Sequence, residues 1–183
     1  RTPDGQPCRR DASFEVVSPG GKRLMIDPFL KQNPATPAAF KDLSRYKPDA
    51  ILVTHSHSDH SADAAELARA SGAPVISAFE WLGTLCLPDA QAWGGNVGGA
   101  FTVGDATVHI VPAMHSSEPG GRPVGFVVAF ADGRSLYHTG DTWIFGDMAL
   151  IGEIHHPDIL LFNVGGGPYV QDPKVAALAV KKY

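Results

Sequence analysis

The segment Asp49–His60, with the sequence DAILVTHSHSDH, constrains the fold more than any other part of the chain. Its first half is a nearly continuous apolar run, which is typical of a β-strand covered on both faces. Its second half places three of the eight histidines of the chain beside a carboxylate. Because α/β folds usually carry their chemistry on loops at the ends of buried strands, this segment predicts a strand followed by a functional loop.

The residues after this loop predict a β-loop-α-β unit. Residues 61–71 favour a helix that Ser61 caps and Gly72 ends, and residues 73–78 favour the next strand. This order requires a crossover connection, so the two strands are expected to be parallel.

The remaining segments predict hairpins and further helices. Glycine-containing turns predict three hairpins, within residues 12–27, 100–113 and 124–139. Residues 145–154 and 172–183 favour helices, and a strand is expected between them at residues 157–164. Hairpins combined with a β-α-β unit indicate an α/β fold with a mixed sheet flanked by helices. No linker divides residues 1–183, so we expect a single domain.

The composition is that of an ordinary globular protein. Of the 183 residues, 44% are apolar and 19% are charged, and the net charge is −4. No stretch is rich in lysine or arginine, so a nucleic-acid partner is not favoured, and no apolar run is long enough to predict a membrane span. No secretory signal is recognisable and the thiols are limited to Cys8 and Cys86, so we expect reduced cysteines in the cytoplasm.

The histidines after the first buried strand have the spacing of metal ligands. His55 and His57 alternate along an extended segment, so their side chains should project on the same side, and Asp59 continues the alternation. His60 lies at the entry to the helix. Neutral imidazole and carboxylate groups are donors for Zn²⁺, Mn²⁺ or Fe²⁺, whereas the alternative is a solvated polar loop.

Two further donors follow other predicted strands. His115 lies in HIVPAMHSS and Asp141 lies in YHTGDT, and each comes directly after a strand, as His55 does. We therefore expect both side chains to join the same site. For His115 the alternative is a hydrogen-bonded loop histidine without a metal.

Four segments of the sequence resemble the metallo-β-lactamase-fold hydrolases: THSHSDH, AMHSS, YHTGDT and LMIDPFL. The likeness is narrower to the bacterial metal-dependent hydrolases related to ascorbate-6-phosphate lactonase. The resemblance implies a four-layer αβ/βα sandwich with metal ions at one edge between two sheets. It also implies the ligands: His55, His57 and His115 for a first metal, Asp59 and His60 for a second, and Asp141 bridging the two.

The resemblance further implies the chemistry. Two divalent ions, zinc or manganese with iron as a further alternative, would generate a metal-bound hydroxide that attacks an ester, lactone or phosphodiester-type bond of a small molecule. Asp59 could orient the attacking water as a base. His138, close to the Gly140-Asp141 turn, is either a catalytic-site partner of a ligand or a core histidine. The alternatives are a nuclease, which the acidic balance disfavours, and a catalytically weak or silent metal-binding protein.

Two departures from the family pattern predict a truncated or mis-framed chain. Residues 1–11 are atypical, since Arg10 and Asp11 stand where relatives carry a Gly-His pair. Relatives also carry a last histidine ligand on a strand beyond the position that matches Tyr183. These departures predict a second metal site that is weakened by one missing ligand.

Several other polar residues are not assigned to the site. His109 is expected to face a sheet surface, and His155 and His156 are expected to end a helix. Asp27, in IDPF, is either a structural carboxylate that bonds the metal loop or a ligand. The substrate, the native metal and a homo-oligomeric state stay open.

Overall fold

Two five-stranded sheets form the framework of the protein, whose computed structural model describes residues 13–118 and 121–183. The first sheet contains, in spatial order, β1 (Phe14–Val17), β2 (Arg23–Ile26), β3 (Ala50–Leu52), β4 (Val75–Ala78) and β5 (Ala92–Gly95). Strands β1 and β2 form the predicted antiparallel hairpin, and β2 to β5 are parallel. The atypical segment of residues 1–11, with Cys8, lies outside the described residues.

The second sheet is mostly antiparallel. Its spatial order is β10 (Ile159–Leu161), β9 (Ser135–His138), β8 (Val124–Phe130), β7 (Ala106–Pro112) and β6 (Ala100–Val103). The two predicted hairpins account for the pairs β6–β7 and β8–β9, while β9 and β10 are parallel. The segment that connects β9 to β10 contains a helix, as is usual for the crossover between two parallel strands.

Five α-helices of the described ranges connect or cover the sheets. They are α1 (Ser58–Ser61), α2 (Ala64–Ser71), α3 (Phe79–Leu82), α4 (Met148–His155) and α5 (Pro173–Lys182). Helix α5 begins as predicted with Pro173 in its first turn, and the Asp172 side chain accepts hydrogen bonds from the Lys174 and Val175 amides. None of the helices in the described ranges is long and apolar enough to cross a membrane.

Strand β3 is buried on both faces, as its apolar run predicts. Leu52 packs between the two sheets against side chains such as Phe126, whereas Ile51 packs outward against Leu67 of α2. On the far side, Ile151 of α4 packs on the outer face of the second sheet. The layers are therefore helix, sheet, sheet and helix, which confirms the predicted αβ/βα sandwich.

Two features of the local structure differ from what the sequence predicts. Ser61 does not cap α2: its hydroxyl donates back to the Ser56 and His57 carbonyls, and the helix begins after Asp63. Strand β5 was not predicted, because AWGG lacks alternation. Its glycines leave room for close packing, since a Cβ at Gly94 would lie 2.9 Å from the ring of Phe79.

The two sheets meet at the edge where β3 ends. The Val124 amide, at the start of β8, donates to the Thr54 carbonyl over 2.9 Å. This bond joins the end of β3 to the second sheet, so the loops that follow β3, β7 and β9 are brought to one edge. The segments that follow these three strands carry the six ligands that the resemblance implies.

Candidate metal centre

Three histidines from two sheets converge at this edge. The ligand atoms of His55, His57 and His115 all lie within 4.8 Å of one another. His55 Nε2 and His57 Nδ1 are 2.9 Å apart, which agrees with the predicted projection on one side of the chain. His115 approaches from the end of β7, and its ring centroid lies 5.0 Å from that of His55. These three imidazoles could hold one metal ion.

A second group of donors overlaps the first. His55, His60 and Asp141 also place one ligand atom each within 4.8 Å of the others. The Asp141 Oδ2 atom lies 3.5 Å from His60 Nε2 and 3.8 Å from His115 Nε2. This carboxylate oxygen therefore lies between the two groups, where a bridging ligand would have to be.

Asp59 lies at the margin of this arrangement. It belongs to neither group among the described residues, its side chain is 52% exposed, and its Oδ2 atom lies 4.0 Å from His60 Nε2. The alternation predicted for residues 55–59 ends at Ser58, where α1 begins. Because successive helical side chains point about 100° apart, Asp59 turns toward solvent while His60 turns inward.

His138 is buried behind the cluster and also belongs to neither group among the described residues. Its Nδ1 atom accepts a hydrogen bond from the Gly140 amide over 3.1 Å, and its ring lies edge-on to Phe14. It thus contacts the turn that carries Asp141. This position agrees with both alternatives that the sequence left open, a partner of a ligand and a core histidine.

Asp27 holds the histidine-containing loop in place through hydrogen bonds. It is fully buried, and its carboxylate accepts hydrogen bonds from the Thr54 amide and hydroxyl, each over 2.7 Å. Its Oδ2 atom also lies 2.8 Å from His60 Nδ1, so the Nε2 atom of His60 is directed toward Asp141. Asp27 therefore bonds the loop and orients one of the candidate ligands, which agrees with the structural alternative for this residue.

A pair of serines links the two loops that carry the first donor group. Nothing in the sequence pattern predicts this pair. The Ser56 and Ser117 hydroxyls are 2.9 Å apart, and the Glu118 amide donates to the Ser56 hydroxyl over 2.6 Å. Ser56 lies between His55 and His57, and Ser117 lies two residues after His115. The pair therefore fixes the third histidine relative to the first two.

The electrostatics of the cluster favour a bound cation. Burial and the neighbouring His60 lower the pKa of His55 to about 3, so its ring is neutral and one of its nitrogens carries a lone pair that a metal ion could use. Burial opposes protonation of His60, but the carboxylates of Asp27 and Asp141 outweigh it and raise the pKa of His60 to about 11. The two carboxylates thus stabilise one positive charge at this point. The same two carboxylates would stabilise a divalent cation bound to His60 Nε2. The donor set therefore fits Zn²⁺, Mn²⁺ or Fe²⁺.

The histidines set aside from the site lie elsewhere. His109 is half-buried on β7, and its ring centroid lies 4.8 Å from that of His155 at the end of α4. His156 is exposed and ends α4 with a φ of 42°. The prediction that these residues belong to a sheet surface and a helix end is confirmed.

Comparisons with known proteins identify the family. A family model described as "Beta-lactamase superfamily domain" matches residues 22–174. A "UPF0173 metal-dependent hydrolase" of Pyrobaculum arsenaticum is 40% identical over 170 residues, covering 91% of this chain and 74% of the relative. A protein of the same description from Rubrobacter xylanophilus is 41% identical over 182 residues, covering 93% of this chain and 73% of the relative.

A solved structure supports the same assignment. Igni18, described as a novel metallo hydrolase from the hyperthermophilic archaeon Ignicoccus hospitalis, matches with a TM-score of 0.80 and 35% identity. The match covers 92% of this chain and 73% of that one. The narrower likeness to ascorbate-6-phosphate lactonase stays a prediction. Since the family match spans most of the chain and the relatives share about 40% identity with it, the chain belongs to the metallo-β-lactamase superfamily, as a metal-dependent hydrolase.

Proposed function

We propose that the protein hydrolyses carboxylic ester or lactone bonds of a small molecule with the help of two divalent ions, zinc or manganese. The observation that carries this proposal is the pair of overlapping donor groups that share His55. Each group also has an imidazole of its own, and one Asp141 oxygen lies within 3.8 Å of both His60 Nε2 and His115 Nε2, so the donors suit a dinuclear centre better than a single ion.

Each proposed ligand has a place in this centre. His55, His57 and His115 would hold the first ion, and His60, with Asp59, would hold the second, while Asp141 would bridge them. When bound, the ions would lower the pKa of a water molecule and polarise the carbonyl oxygen of the substrate. Because Asp59 is exposed and 4.0 Å from His60 Nε2, we expect the second site to bind its ion more weakly than the first.

Other residues of the protein would orient the metal ligands and accept a proton from the attacking water. Asp27 holds the His60 ring through Nδ1, and the Ser56–Ser117 pair holds the two histidine loops together. Asp59 is more exposed than Asp141, the other proposed carboxylate ligand, so it is the residue best placed to accept a proton from the attacking water. His138 would act through its contact with the Gly140 amide, as a positioning residue for Asp141.

An ester or lactone substrate agrees with the charges better than a nucleic acid does. The net charge is −4, and no stretch of the sequence is rich in lysine or arginine. A nuclease of this kind would need cationic side chains to neutralise the phosphates of its substrate. We therefore propose a small-molecule substrate, and we also propose the cytoplasm as the location. A disulfide between Cys8 and Cys86 in protein isolated from its native cells would contradict that location.

Hydrolysis by the metal-loaded protein tests the proposed function. Phenyl acetate and γ-butyrolactone should be hydrolysed with added Mn²⁺ or Zn²⁺, whereas bis(p-nitrophenyl) phosphate should not. The His57→Ala protein should lose the activity, and the His109→Ala protein should keep it, because His109 packs against His155 outside the site. If the protein binds two ions and hydrolyses none of these compounds, the metal-binding but silent alternative replaces the proposal.

A further inference from the structure

A cavity of about 260 Å³ lies beside the candidate metal centre. The cavity is open to solvent, its wall exposes both apolar side chains and polar atoms, and none of its lining residues is charged: Met114, Trp143, Gly167, Pro168, Tyr169, Val170 and Gln171. Met114 directly precedes His115, and Trp143 follows Asp141 by two residues. The cavity wall is therefore continuous with two of the loops that carry proposed metal ligands.

The wall is held rigidly against these loops. The Trp143 amide donates to the Met114 carbonyl over 2.9 Å, and the Thr142 hydroxyl accepts from the Met114 amide over 2.8 Å. Behind them, the Asn163 side chain donates to the Thr142 carbonyl, and the Gln171 side chain donates to Asn163. A group bound in the cavity would thus be held at a fixed position relative to the metal ligands.

Three large side chains of the wall are exposed although they are apolar or aromatic. The exposed fractions are 57% for Met114, 53% for Trp143 and 79% for Tyr169. Grouped apolar exposure at the mouth of a cavity is typical of a surface that a ligand covers. Gln171, by contrast, is buried, and its Oε1 atom accepts no hydrogen bond from the residues that the structure describes.

We propose that this cavity binds an uncharged aryl or branched alkyl group attached to the scissile ester, and that it determines substrate specificity. The inference rests on the proposed function. The size fits, because a cavity of about 150 Å³ accommodates benzene, so about 260 Å³ accommodates an aryl ring with a short linker. An anionic group is disfavoured, since the wall offers no cation to bind it.

The binding part of the inference is tested with 4-phenylbutan-2-one, an uncharged ketone that cannot be hydrolysed as an ester. Saturation-transfer NMR should show contact between the protein and the phenyl protons of this compound, with acetone as the reference. The contact should disappear in the Trp143→Ala and Met114→Ala proteins. It should persist in Ile154→Ala and Phe40→Ala, which remove exposed apolar side chains elsewhere on the surface.

The specificity part is tested with two esters of the same alcohol, methyl 3-phenylpropanoate and methyl acetate. The ratio of their kcat/KM values should favour the phenyl ester and should fall about tenfold in Trp143→Ala. The ratio should not change in Ile154→Ala. An unchanged ratio in Trp143→Ala and Met114→Ala would overturn the inference while leaving the ester chemistry intact.

Failure of the proposed function has a different signature. If neither ester is hydrolysed but the ketone binds through Trp143, the cavity assignment stands and the proposed reaction is wrong. If the ketone does not bind and Trp143→Ala instead changes the oligomeric state in gel filtration, the apolar wall is a protein contact. That result would overturn the inference.

Discussion

Asp27→Asn is expected to lower the free energy of unfolding of the metal-free protein by about 3 kcal/mol. The same change should weaken the second metal site by roughly 10- to 100-fold. Asp27 is fully buried, and its two oxygens serve the Thr54 amide, the Thr54 hydroxyl and His60 Nδ1. Asparagine has nearly the same shape, but it removes the charge that stabilises protonated His60 and replaces one acceptor with a donor.

Denaturation with urea in the presence of a chelator measures the first effect, and titration of the metal-free protein with Zn²⁺ measures the second. Asp63→Asn is a matched control: Asp63 is 2% exposed, and its carboxylate accepts from the Leu30 and Lys31 amides over 2.6 and 2.8 Å. The control should lose stability without a loss of metal affinity. Asp27→Asn protein that binds metal as tightly as the parent would show that Asp27 does not orient His60.

The positions of the site residues could be predicted because they follow from local rules. An apolar run of strand length that ends in polar residues marks the end of a buried strand, as for β3, while the glycine-containing turns of two hairpins place β7 and β9. Since the loops after these strands meet at one edge, His55, His115 and Asp141 were expected to converge. The structure places all three in the two donor groups.

The features that escaped prediction depend on contacts between distant parts of the chain. The Ser56–Ser117 pair spans 61 residues, and neither serine has a local pattern that predicts it. Strand β5 pairs with β4 although its glycines have little intrinsic strand propensity. The cavity wall likewise combines Met114 and Trp143 with the loop at residues 167–171, and only the folded chain brings them together.

The placement of Asp59 shows how a local rule can fail within one turn. Alternation along an extended chain predicts that His55, His57 and Asp59 share a side, and this holds for the two histidines. The helical turn that begins at Ser58 replaces that alternation with a helical period. The histidine in the turn, His60, therefore enters the cluster, while Asp59 remains 52% exposed.

Replacement of single ligands should separate the two metal sites. Titration of the metal-free parent with Zn²⁺ or Mn²⁺ should show two binding events of unequal affinity. His57→Ala should remove the tighter event, because His57 belongs only to the first donor group, and His60→Ala should remove the weaker one. His109→Ala should leave both unchanged, since His109 packs against His155 outside the site.

Asp141→Ala should weaken both binding events, each by more than about 100-fold, because removal of a ligand costs more than removal of a partner behind it. The reason is geometric: one oxygen of Asp141 lies 3.5 Å from His60 Nε2 and 3.8 Å from His115 Nε2, so it reaches both groups. Elemental analysis after dialysis should then find less than one ion per chain, against about two for the parent. Loss of only one of the two events in Asp141→Ala would mean that this carboxylate serves a single ion, and its assignment as a bridging ligand would have to be abandoned.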